Sequence, residues 1–186
     1  METMVDYDTE LMLRASRGED AAFRELFDRH YKRAVNTAYR STGDPDLAED
    51  IAMDAFARIY ESRGSFKPAA KFSTYLYRVV VNLSINATKR RRVVTSVSLD
   101  DGRDVASSDA GPDERVERSE LARAVRSAVL SLPVNQRMAL VLTRYEGLSY
   151  HDAAQAMGVS VGAVESLLHR AKQNLRKALG EHISLE

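Results

Sequence analysis

Residues 93–112 (VVTSVSLDDGRDVASSDAGP) interrupt this chain more decisively than any other stretch. They carry no hydrophobic period and no aromatic, and Ser, Asp and Gly dominate them. Such a composition cannot bury enough apolar surface to offset the entropy of ordering itself, so it predicts a flexible linker. On both sides of it the apolar residues recur at three and four, the signature of amphipathic helix. The chain of 186 residues is therefore expected to form two small all-α domains, 1–92 and 113–186, rather than one continuous core.

The helical reading can be made locally. Phe23, Leu26, Phe27, His30, Tyr31, Ala34 and Ala38 form one stripe, with Asp20 placed to cap it. Gly43-Asp44-Pro45 reads as a stop followed by a start: Asp44 as N-cap and Pro45 at the first helical position. The next helix buries Leu47, Ile51, Ala55 and Ile59. After a loop with Gly64, Ser65, Phe66 and Pro68, Ser73 is placed to cap a helix running to about Arg92, whose stripe is Leu76, Val79, Val80, Leu83 and Ala87. Helix resumes from about Asp113 to Leu130, and Pro133 opens another that Gly147 stops. No segment alternates as a strand would.

The absence of cysteine excludes a disulfide scaffold and every thiolate site. No apolar run approaches the ~20 residues of a membrane span, and METMVDYDTE lacks a signal-peptide pattern, so a cytoplasmic protein without direct membrane insertion is expected. His30, His151, His169 and His182 have no metal-ligand spacing, and neither a nucleophile–base arrangement nor a phosphate-binding Gly loop is present. Neither an enzyme nor a cofactor or metal site is expected.

The 27 basic and 27 acidic residues cancel, but they are not mixed. Between Asp44 and Ala57 stand Asp44, Asp46, Glu49, Asp50 and Asp54 with no Lys or Arg. From Glu61 to Arg92 the sign reverses, with Glu61 alone against Arg63, Lys67, Lys71, Arg78, Lys89, Arg90, Arg91 and Arg92. Blocks of opposite sign suggest separate surfaces for separate partners. Asp46, Asp50 and Asp54 share one helix face, with Glu49 beside them. Helix-dipole complementarity accounts for Asp46 and Glu49 but not for Asp54, more than two turns in, so a docking face for a basic partner is the better reading.

Tyr75, Arg78, Asn82, Asn86 and Lys89 form a second stripe on the middle helix, next to a loop bearing Phe66, Lys67, Lys71 and Phe72. Aromatics that stack, amides that read base edges and cations that follow a backbone suit single-stranded nucleic acid. The alternative is a solvated face. Two asparagines of poor helix propensity weigh against that alternative.

Near the C-terminal end, Ser149-Tyr150-His151-Asp152 has the form of a capping box with Asp in place of Glu, and Ser160 caps a further helix. Ala154, Gly158 and Val164 fit the close approach, left-handed turn and closing contact of a helix-turn-helix. Its second helix presents Ser160, Gly162, Ala163, Glu165, Ser166, His169 and Arg170 to a major groove, with Lys172, Arg176 and Lys177 within reach of phosphates. A helical hairpin with a solvated basic end is the competing reading.

Assembled, these segments resemble a bacterial sigma factor of the extracytoplasmic-function group. Residues 22–66 look like the core-binding part of region two, 71–92 like the part that melts and reads the minus-ten element, and 131–179 like region four, which reads minus-thirty-five. The resemblance implies that Asp46, Glu49, Asp50 and Asp54 dock on the clamp helices of the largest subunit of core RNA polymerase. It implies that region four meets the flap of the second-largest subunit. It also implies that Asn82 and the loop from Phe66 to Phe72 hold an extruded minus-ten base. Ser166, His169 and Arg170 would enter the minus-thirty-five groove of promoter DNA, and an anti-sigma factor is an implied partner. The sequence departs from the family pattern at Met53, Tyr75, Glu165 and Leu167, where Gln, Trp and basic residues are usual. Glu165 is suited to accept from a cytosine amino group. A helix-turn-helix regulator that is not a sigma factor is the competing function; it would need a sensing or dimerising domain, for which residues 1–92 carry no signature.

Overall fold

The computed structural model describes residues 6–97 and 114–183. The described residues contain eight α-helices and no strand. They are α1 (Tyr7–Ser16), α2 (Asp20–Thr42), α3 (Pro45–Glu61), α4 (Phe72–Val97), α5 (Glu114–Ser131), α6 (Val134–Leu140), α7 (Tyr150–Met157) and α8 (Val161–Ile183). Of the 93–112 tract, the first residues continue α4 past Arg92 to Val97; the remainder lies outside the described residues.

Helix boundaries follow their caps. Asp44 accepts the Leu47 N–H at 3.0 Å, Pro45 opens α3, and Gly43 closes α2 at φ +74°. Two expected caps are corrected. Asp20 is the first residue of α2, not its cap, because its carboxylate accepts the Tyr60 hydroxyl at 2.9 Å. Ser73 lies inside α4: the Thr9 hydroxyl accepts the Phe72 N–H at 3.0 Å, satisfying that terminal donor, and the helix begins at Phe72. Thr9 belongs to α1, a helix the apolar stripes did not single out. Its signals are the Asp6 cap and the buried Leu11, Met12 and Ala15.

One core gathers Leu11, Met12, Leu26, Ala34, Ala38, Ile51, Ala55, Phe56, Ile59, Phe72, Leu76 and Val80 from α1 to α4. A second gathers Met138, Leu142, Ala153, Ala154, Ala156 and Val164 from the C-terminal half, together with Tyr77 and Val81 of α4. Helix α4 thus belongs to both cores: Leu76 and Val80 face the first, while Tyr77, Val81 and the partly buried Ile85 face the second. The two halves are packed together, with α7 lying on α4.

Candidate nucleic-acid interface

Burial of two faces of α4 leaves a third in water. Arg78, Asn82, Asn86 and Lys89 are all exposed on it, as their spacing predicted. At its N-terminal end the face meets a hollow of about 450 Å³, lined by Ser65, Phe66, Lys67, Ala69, Ala70, Thr74, Tyr75 and Arg78 and, from the other half, Gln155. Phe66 and Tyr75 are half-buried with ring centroids 5.5 Å apart, forming an aromatic wall with cations beside it. The volume lies within the range of small-ligand sites and accommodates a single base. Tyr75 also shares a 3.3 Å hydrogen bond with the Ser62 hydroxyl.

Two residues stand elsewhere than the sequence suggested. Phe72 is fully buried, edge-on to His30 at 5.3 Å between centroids, and so is a core residue rather than a stacking platform. Asn82 is exposed, but it does not line the hollow, which ends at Arg78; Asn82, Asn86 and Lys89 continue along the helix beyond it. Lys71 is exposed at the mouth of α4. Gln155 is a hollow-lining residue that sequence reasoning missed, since nothing local to it announces contact with α4.

On α3, Asp46, Glu49 and Asp50 are exposed and make no ion pair among the described residues. Asp54 differs: it accepts from Arg58 one turn later, at 2.8 and 3.0 Å. Asp44 is tied to Arg91 at 2.5 Å. Its carboxyl is held below the ordinary range, first by the Leu47 N–H and then by Arg91.

The C-terminal hairpin has the geometry its small residues implied. Ser149 accepts the Asp152 N–H at 3.0 Å, while its hydroxyl donates to the Asp152 carboxylate at 2.7 Å. Asp152, one methylene shorter than the usual Glu, thus engages the cap's side chain. Gly158 takes φ +66°, Ala154 and Val164 are buried, and Ser160 accepts the Ala163 N–H at 3.2 Å to start α8. Ser160, just before α8, and Glu165, Ser166, His169, Arg170 and Lys172 along it are all exposed. His169 Nε2 lies 3.0 Å from the Gln173 amide nitrogen.

Comparison with known proteins places this arrangement. The Sigma-70 region 2 family matches residues 26–93, and the Sigma-70, region 4 family matches residues 122–175. The chain is 33% identical to the RNA polymerase sigma-H factor of Pseudomonas aeruginosa, covering 94% of each. It is 33% identical to the ECF RNA polymerase sigma factor SigM of Mycobacterium tuberculosis strain H37Rv, covering 93% of this chain and 85% of that one. The chain belongs to the extracytoplasmic-function sigma factors. This sigma factor binds core RNA polymerase and directs promoter-specific transcription initiation. Residues 26–93 are its region two and 122–175 its region four. Its fold is similar to that of CnrH in complex with the cytosolic domain of CnrY, at TM-score 0.70 and 29% identity, covering 95% of this chain and 99% of that one. Among the described residues, no helix of the sigma factor is long and apolar enough to cross a membrane.

Proposed function

We propose that this sigma factor divides its work among three surfaces, acting in the cytoplasm and supplying no catalytic group of its own. Asp46, Glu49 and Asp50 of α3 dock on the clamp helices of the polymerase largest subunit. The hollow at Phe66, Tyr75 and Arg78 receives an unstacked minus-ten base, and the Asn82–Asn86–Lys89 face follows the adjoining strand. Helix α8 enters the minus-thirty-five groove through Ser166, His169 and Arg170, with Ser160, Glu165 and Lys172 at its margins. Region four also meets the flap of the second-largest subunit. The division into a region-two domain over 1–92 and a region-four domain over 113–186 is part of this reading.

The observation that carries it is the exposed α4 face. Cations and amides there run without interruption from an aromatic-walled hollow of single-base size. An anti-sigma partner remains part of this reading; the likeness to CnrH, solved with the cytosolic domain of CnrY bound, supports control by a bound protein.

The docking face is tested by replacing Glu49 and Asp50 with Lys; both are exposed and unpaired, so the fold has nothing to lose there. Affinity for core polymerase should fall tenfold or more, because like charges would then meet across the interface. Unchanged affinity in a titration, with unchanged helicity, would remove α3 from the interface.

A further inference from the structure

Helix α8 packs on α5, α6 and α7, away from the seam where α7 lies on α4, and its exposed side carries the residues proposed above to enter the groove. One residue on that side has the wrong sign for DNA. Glu165 is exposed among basic side chains: Arg144, His169, Lys172 and Arg176 line the same hollow of about 670 Å³ beside α8. Even so, Glu165 makes no ion pair and no side-chain hydrogen bond among the described residues. His169, one turn on, has its Nε2 3.0 Å from the Gln173 amide nitrogen and is engaged further along the helix. Gly162, one turn before Glu165, carries no side chain, and nothing stands within 4 Å of where its Cβ would be. The backbone of α8 is therefore free to come close to a groove floor beside Glu165, within reach of a side chain as short as glutamate.

An acid near the start of a helix suits the helix dipole, and the alternative is a solvated side chain that only helps α8 form. That account is incomplete once α8 lies in a groove. There the carboxylate is held against phosphates, and the repulsion goes uncompensated unless the DNA supplies a donor. The major groove has two kinds of donor, the cytosine N4 and the adenine N6 amino groups. Adenine sets its N7 acceptor beside N6, where it would face the second carboxylate oxygen. Guanine presents only acceptors, and thymine an acceptor and a methyl group. Cytosine alone offers a donor with no acceptor beside it on the same base.

We infer that Glu165 is a specificity-determining residue that reads one cytosine of the minus-thirty-five element by accepting from its N4 amino group. The carboxylate acts as much by exclusion as by attraction, since every other base at that position leaves it repelled and without a donor. The inference rests on the region-four reading above and adds to it the identity of one base.

The test uses the full chain with core polymerase and promoter duplexes randomised over the minus-thirty-five element, with sequences counted before and after selection for binding. The parent should prefer cytosine at one position by roughly tenfold or more over any other base. Glu165→Gln should move the preference at that same position to adenine, because an amide pairs with both N6 and N7. Glu165→Ala should erase the preference there, keep those elsewhere in the element, and tighten binding to duplexes that lack the cytosine, since the repulsion is gone. Both replacements are good helix formers at an exposed, unpaired site, and unchanged helicity checks that α8 persists. A parent preference that neither variant alters overturns the inference. So does a Glu165→Ala chain that binds all sequences more tightly by one common factor, which is the behaviour of a solvated acid near phosphates. If the parent selects no sequence over this element, the region-four reading falls first and this inference with it.

Discussion

Tyr77 donates to Glu146 from a site where burial, reinforced by that bond, raises its ionisation well above the ordinary tyrosine value of 10.0. The folded state therefore keeps a proton that the unfolded chain surrenders near pH 10. The stabilisation is full below pH 10 and is lost as pH climbs toward the raised value. Tyr77→Phe should cost ~1–3 kcal/mol at neutral pH. In denaturant titrations across the alkaline range, the gap between parent and variant should narrow only above about pH 10. A gap that already narrows near neutrality would mean some other group titrates with the seam. Asn82 presents the opposite case, an exposed amide. Asn82→Ala should leave stability unchanged or improve it by about 0.5 kcal/mol, because Ala is the better helix former. If the amide reads a base edge, discrimination should drop by ~1–3 kcal/mol at one minus-ten position. Equal weakening at every position of a promoter-variant series would assign Asn82 to the backbone instead.

Among the elements, α3 depends most visibly on its first residues. Asp44 both caps the helix and holds Arg91, tying the start of α3 to the far part of α4. Asp44→Ala should lose about 1 kcal/mol or somewhat more, whereas Asp44→Asn, which still caps, should lose only the ion pair. Because the Asp44 carboxyl titrates low in the folded state, the loss in Asp44→Ala should be complete at neutral pH. It should fade as pH drops below the ordinary carboxylate range. A deficit in Asp44→Asn as large as in Asp44→Ala would show that charge, not capping, matters. The same elements show how far local spacing carries. Leu76 and Val80 could be placed in a core from their period, and Arg78, Asn82, Asn86 and Lys89 in water, because each set repeats with the helix. Tyr77, Val81 and Ile85 repeat equally well at intervals of four, yet the partner they face is more than fifty residues away in the sequence. A helix with three patterned sides announces that it is buried twice, but not by what. Phe72 misled for a related reason: an aromatic beside a basic loop looks available until Thr9 and His30, from distant helices, close over it.

At the scale of the whole molecule, the expectation of two helical regions was legible because composition changes abruptly after Arg92, within the last turns of α4. That the regions pack together was not, since Glu146 sits in a short turn whose neighbours give no hint of Thr37 or Tyr77. If the seam is as cohesive as its contacts indicate, cutting the chain should not separate the halves. With a specific protease site inserted after Asp104, cleavage should be complete by mass while both fragments still elute together at low salt. They should part in Glu146→Lys. Fragments of the parent that separate at once would show that the seam depends on the covalent connection.

A helix shared by two cores also limits how such proteins can be recombined. Transplanting region four from a relative into this chain would have to preserve the packing against Tyr77, Val81 and Ile85 and the carboxylate opposite Arg33 and Arg40. Grafts that neglect this would leave the second core of α4 poorly filled, at a cost in stability. The exposed face of α8 is then the portable part of region four, and the contact with α4 is the part that must be rebuilt for each new pairing.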